Sequence, residues 1–167
     1  MLKPVNLDIQ CENLKFLELQ KIMHISESIL NTCISKNIEY LCLSGCKNIT
    51  QLSVSNCRSL VLNEMRNLSA IDIPTLNHLS ISWCAKILPS HIYSLLPHLQ
   101  TLKIRGCPNF DFLELKSEFL EFLLLEKCIN LKSLKMEGNN MYRLEIKGCN
   151  SLQFAHLSCK YIKVCDL

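Results

Sequence analysis

The chain has 167 residues, a formal net charge of +3, 49% apolar and 20% charged side chains, and only four Gly and five Pro. That length makes about one domain with a core of useful size, and the apolar fraction excludes a disordered chain. The charge is too small to argue for nucleic acid or an anionic membrane as a partner, and no apolar run approaches the roughly 18 residues of a membrane span.

The opening Met1 to Asp8 has a polar residue every second or third position and no apolar stretch of the secretory kind, so a cytosolic setting is expected. Leu occurs 31 times, which directs attention to repeats. The first copy of a recurring phrase starts at Leu14 and predicts a strand. Ser26 to Ile34 then places Ile25, Ile29 and Cys33, with Leu30 and Ile34, along one side, and Ser26 suits the N-cap of a helix.

From Ile38 the phrase is clear: apolar, two variable, apolar, one variable, apolar, two variable, then Cys46. It returns from Leu76 to Cys84, Leu99 to Cys107, Leu120 to Cys128 and Met141 to Cys149, with weaker copies starting at Cys57 and Cys159. The starts at 14, 38, 57, 76, 99, 120, 141 and 159 are separated by 18 to 24 residues. Alternation within each copy is the signature of a strand with one buried face, and the long connections require parallel neighbours. No single copy can bury its apolar face, so the copies must stack.

A second phrase follows in the short copies: Ile49/Leu52/Val54, Leu68/Ile71/Ile73, Phe110/Leu113/Leu115, Leu131/Leu134/Met136 and Leu152/Ala155/Leu157. These predict extended segments on an outer face. The long copies carry helical stretches instead, the second over Pro89 to Leu96 and ended by Pro97. The expected fold is a single domain over 1–167: a right-handed repeat solenoid with about eight parallel strands on its concave face, and short extended segments with two short helices outside.

The phrase resembles the leucine-rich repeat in its cysteine-containing, irregular form. Leu96 to Pro108 is similar to repeats of plant intracellular immune receptors, and Ile38 to Thr50 to those of F-box adaptors. Repeat proteins that bacteria deliver into host cells are a further similar group. The resemblance implies protein binding on the concave face, in the cytosol or in a host's cytosol. It leaves open a recognition fragment of a larger receptor or ubiquitin-ligase adaptor, and a self-associating structural domain.

The chemistry-bearing residues give no enzyme. Cys46, Cys84, Cys107, Cys128 and Cys149 share one position, and equivalent thiols stacked in a line cannot wrap a tetrahedral zinc. A ladder of small buried thiols bonding nearby backbone is expected, with neither metal nor cofactor. Cys42 and His78 fall two strands apart in different columns, too far for a nucleophile and its base. Trp83, beside Cys84 at a strand exit, is either a binding anchor or a cover for the core edge.

The variable residues flanking each buried pair form outward columns. The middle of the sheet is bland, with Ser59, Val61, Asn63, Ser80 and Ser82. Toward the C-terminus, Lys103, Arg105, Phe122, Leu124, Glu126, Arg143, Glu145, Lys147, Tyr161 and Lys163 mix apolar anchors with charges of both signs, as protein interfaces do. These are the candidate partner-binding residues, with Arg143 between the strands of Phe122 and Tyr161. The stack ends in Ile162 and Val164, expected as the buried pair of an uncapped edge strand through which two copies could pair.

Overall fold

Every second residue of the phrase is apolar, and a strand turns those residues to one side while the residues between them face the other. The computed structural model describes residues 13–22, 25–34, 38–160 and 164–166, with 32–33 and 164–166 as backbone alone. In chain order the elements are β1 (Phe16–Gln20), α1 (Glu27–Cys33), β2 (Tyr40–Ser44), β3 (Gln51–Ser53), β4 (Ser59–Asn63), β5 (Ala70–Asp72), β6 (His78–Ser82) and α2 (Ser90–Tyr93). They continue with β7 (Thr101–Arg105), β8 (Phe112–Lys116), β9 (Phe122–Glu126), β10 (Ser133–Gly138), β11 (Arg143–Lys147), β12 (Phe154–Cys159) and β13 (Val164–Asp166).

The result is a parallel β-solenoid. One eight-stranded sheet runs β1-β2-β4-β6-β7-β9-β11-β13, with every neighbour parallel. Its register aligns Leu17, Leu41, Leu60, Leu79, Leu102, Leu123 and Leu144 in one inward row, and Leu19, Leu43, Leu62, Ile81, Ile104, Leu125 and Ile146 in the next. All are buried, the most exposed being Ile146 at 7%. Each row is a continuous apolar ridge, and full burial of one such side chain stabilises by about 1.5–3 kcal/mol.

The outer face is mixed, as expected. β3 and β5 form a two-stranded sheet, while β8, β10 and β12 form a three-stranded one. The insertion carrying α2 lies between β5 and β8 in the chain, where the outer strands break into two sheets. At the other end the Glu27 carboxylate of α1 accepts from Thr50 N (2.8 Å), Thr50 Oγ1 (2.6 Å) and Gln51 N (2.8 Å), which ties the helix to the start of β3. Ser26 caps α1, its Oγ accepting from Ile29 N at 3.3 Å.

Two expectations need correction. The second helix covers only Ser90–Tyr93, not Pro89 to Leu96. The segment is held by three-residue bonds, Ile92 N to Pro89 O, Leu95 N to Ile92 O and Leu99 N to Leu96 O, and Pro97 has no N–H to extend a helical ladder. The larger change is the last strand. β12 extends to Cys159, which pairs with Gly138, so Cys159 closes an outer strand instead of opening an inner one. The inner strand therefore starts later, with Val164 opposite Arg143 and Cys165 opposite Leu144. The slip is three residues, and an odd slip exchanges the faces of a strand. Val164 thus takes an outward register position and Cys165 an inward one, the reverse of the expected assignment.

A further periodic feature follows each inner strand. Lys21, Gly45, Glu64, Trp83, Gly106, Lys127 and Gly148 occupy equivalent places, and each has a positive φ between 52° and 66°. This left-handed residue turns the chain out of the sheet and into the core position filled by Cys46, Met65, Cys84, Cys107, Cys128 and Cys149. The turns are locked to each other by backbone bonds, Gly45 N to Asn63 O, Glu64 N to Ser82 O, Trp83 N to Arg105 O, Gly106 N to Glu126 O and Lys127 N to Lys147 O. Asn67, Asn109 and Asn130 add a side-chain rung, each Nδ2 donating to a carbonyl of the preceding turn, Lys47, Ala85 and Pro108 respectively.

Candidate functional site

The outward columns of the long sheet are the residues whose identity the core does not dictate. In their C-terminal half, β7, β9 and β11 bring Lys103, Arg105, Phe122, Leu124, Glu126, Arg143, Glu145 and Lys147 onto one surface, in the register Thr101–Phe122–Arg143, Lys103–Leu124–Glu145 and Arg105–Glu126–Lys147. Phe122 is half-buried beneath two cations: Lys103 Nζ lies 5.4 Å and Arg143 Cζ 5.6 Å from its ring centre. Such contacts contribute about 0.5–1 kcal/mol at exposed sites and hold both cations over the ring. Arg105 grips Glu126 through Nε at 2.8 Å and Nη2 at 2.5 Å, both donating to Oε2, a two-donor hold that the planar guanidinium supplies.

Glu145 departs from expectation. It sits in the middle outward column yet is 5% exposed, because Arg143 and Lys147 close over its carboxylate; Lys147 Nζ lies 2.5 Å from Oε2. The Lys147 hydrogen bond, with the charge of Arg143, holds this carboxyl below the usual range against the opposing effect of burial. Glu145 thus orders the two cations around it and leaves little surface of its own. Tyr161 and Lys163 lie outside the described residues. The position opposite Arg143, assigned from the sequence to Tyr161, is held by Val164. The expected trio of Phe122, Arg143 and Tyr161 in one column is replaced by Phe122 with Arg143 and Lys103.

At the other end of the sheet Phe16 is 67% exposed, and its ring lies 6.1 Å from that of Tyr40. Burial, with Cys42 and Glu18 alongside, pushes the Tyr40 phenol up to about 12. The sequence carries this signal as two aromatics in one outward column of adjacent copies. Trp83 is 46% exposed and its indole lies across Gly106, covering that turn.

The stacked thiols behave as a ladder. Cys46, Cys84, Cys128 and Cys149 each reach a carbonyl of the preceding strand, Leu19, Leu62, Ile104 and Leu125, at 3.6–3.9 Å. Burial pushes Cys46 and Cys107 up, Cys57 to about 11 and Cys84 to about 12. Cys128 and Cys149, neighbours in the ladder, add a feature the sequence did not suggest: their mutual interaction holds Cys149 down and Cys128 up. Cys42 is partly exposed on the outward face. In a timed alkylation read by mass spectrometry, Cys42 is expected to label well before Cys46, Cys84 and Cys107, whose labelling should await opening of the fold. Equal rates for all four would mean that the ladder is not closed.

No three His, Cys, Asp or Glu side chains converge as a metal site among the described residues. Cys42 aligns with Val61 and Ser80, while His78 aligns with Ser59 and Tyr40, so the two stand two strands and one column apart. No helix among the described residues is long and apolar enough to cross a membrane.

The fold and this surface define a class, a parallel β-solenoid that displays a regular, chemically mixed sheet. No family model, no curated protein and no solved structure matches the chain.

Proposed function

We propose that the chain is a protein-binding module of the leucine-rich-repeat type, working in a reducing cytosol, with its partner seated on the C-terminal half of the eight-stranded sheet. The observation that carries this reading is Phe122 held between Lys103 and Arg143, beside the Arg105–Glu126 fork. An aromatic ring ringed by oriented cations on rigid strands is the composition of an interface hot spot. The cytosolic setting is supported by the free thiols of the eight cysteines whose side chains are described.

The test compares variants in affinity capture from candidate cytosols with mass-spectrometric readout. Arg143→Glu would set a second carboxylate directly against buried Glu145, so Phe122→Ala is combined with Lys103→Glu, which keeps both ion-pair partners of Glu145, Arg143 and Lys147, in place. The captured partner should bind this variant more weakly by roughly 2 kcal/mol or more, with little change in melting temperature. The control, Glu114→Ala with Lys135→Ala, removes an exposed outer ion pair of 2.8 Å and should leave capture intact. Loss of capture in the control but not in the sheet variant would place the functional surface on the wrong side.

A second reading, association of two copies, draws support from β12, the last strand of the outer sheet, where Phe154 is 69% exposed. Light scattering across a concentration series reads it directly: a constant monomer mass rejects it.

A further inference from the structure

The turns that leave the long sheet form a rim, and its charge is one-sided. Each turn runs from the left-handed residue, through the buried Cys or Met, to the two residues that follow. Along successive turns the rim presents Lys21, then Lys47, Arg66, Lys86 and, further on, Lys127, all exposed, with Glu64 as its one described carboxylate. Five cations against one anion give this rim a larger net positive charge than the +3 of the whole chain. Among the described residues none of the five is in an ion pair. On the opposite rim, where strands begin, charges of both signs mix: Lys15 is paired with Glu39 at 2.8 Å, Arg58 stands near Glu39, and Glu118 and Glu121 add negative charge.

The cations recur from turn to turn at neighbouring places, with Lys21 and Lys127 at the left-handed residue itself. Lys47 and Arg66 occupy the same place in consecutive turns, and Lys86 is one residue further along the next. The backbone bonds from each left-handed N–H to the last carbonyl of the next strand, and the Asn67 rung to Lys47 O, fix these turns rigidly. With neighbouring turns about 4.8 Å apart, the row from Lys21 to Lys127 spans roughly 24 Å. About seven or eight residues of extended polypeptide cover that distance. Trp83 stands within the row, propped outward over Gly106.

We infer that this rim is a second docking surface, separate from the outward sheet face, for an acidic, extended protein segment that lies along it with its carboxylates over Lys47, Arg66 and Lys86 and an apolar side chain against Trp83. Charge complementarity selects an acidic occupant. The exposed indole in the row favours a peptide with apolar as well as acidic side chains over a uniform phosphate backbone or lipid headgroup layer. The surface needs nothing from Phe122 or Lys103, so it stands or falls apart from the function proposed above.

Trp83, the chain's single Trp, is a built-in reporter. The probe is a glutamate-rich peptide of about a dozen residues with one Leu at its centre, long enough to span the row. It is titrated into the full chain while Trp83 emission and heat are followed. Its glutamine counterpart, an oligothymidylate of similar length and phosphatidylserine vesicles are titrated in parallel. The acidic peptide should bind and shift Trp83 emission, and raising the salt should weaken it steeply. Lys47→Glu with Arg66→Glu and Lys86→Glu should weaken it by about tenfold or more with an unchanged melting curve, because all three side chains are exposed. Phe122→Ala with Lys103→Glu should leave it unaltered. Failure of the acidic peptide to bind, equal binding of the glutamine peptide, undiminished binding by the charge-reversed chain, or tighter binding of oligonucleotide or vesicles would each overturn the assignment.

Discussion

Leu102→Ala should destabilise the solenoid by about 2–5 kcal/mol, the range for truncating a buried Leu whose surroundings relax only in part. Leu102 is 0% exposed and sits in the middle of its inward row, with Leu79 on one side and Leu123 on the other. The row is continuous, so the cavity opens between the two halves of the stack. Because each turn of a solenoid contacts chiefly its neighbours, a central defect weakens the coupling on which a single cooperative transition depends. The expected melt is therefore both lower and broader than that of the unaltered chain. Lys103→Ala, one residue on and outward-facing, should change stability by less than about 1 kcal/mol. Urea titrations of both variants check this. Equal effects at 102 and 103 would mean that the strand does not alternate between core and surface.

The repeats were legible because their physics is local. A Leu-x-Leu phrase recurring every 18 to 24 residues leaves few arrangements that bury all the Leu side chains, and the inward rows follow from it residue by residue. The outer strands were legible for the same reason, since Leu113, Leu115, Leu134 and Met136 repeat the alternation and are buried. The last strand was misplaced because Cys159 resembles a repeat start. Only the pairing of Gly138 with Cys159 reveals that β12 uses it up. Close approach there leaves no room for variation: a Cβ on Gly138 would come within 2.4 Å of the Ser117 carbonyl oxygen.

The site was legible in position and less so in state. Columns read from the sequence put Lys103, Arg105, Phe122, Leu124, Glu126, Arg143, Glu145 and Lys147 at outward positions, but a column does not say which charges neutralise one another. Glu145 stands in an outward column, as its place in the phrase implies, and is enclosed there by Arg143 and Lys147. The left-handed turns were hidden for a different reason. Gly45, Gly106 and Gly148 stand directly before a Cys and hint at them, but Lys21, Glu64, Trp83 and Lys127 hold the same backbone conformation with residues that carry no such signal.

That contrast leads to a large expected effect at Gly106. A non-glycine residue in the left-handed region costs about 1–2 kcal/mol. Gly45→Ala and Gly148→Ala should cost about that and no more, since an added Cβ at either place meets its nearest atoms at an ordinary 3.6 Å. Gly106→Ala meets the Trp83 ring, with Cε3 and Cζ3 at 2.3 Å. The indole is a side chain at the surface and can swing away, so the backbone keeps its turn and the ring loses the surface it covers. The extra cost is of the order of 1–3 kcal/mol, as for other overpacked sites. Two readouts separate the contributions. Trp83 emission should shift to the red in Gly106→Ala and stay unchanged in Gly148→Ala. In a Trp83→Ala background the excess cost of Gly106→Ala over Gly148→Ala should vanish, because the ring that opposed the new methyl is gone. Persistence of the excess without the indole would mean that the Gly106 backbone, and not the ring resting on it, demands glycine.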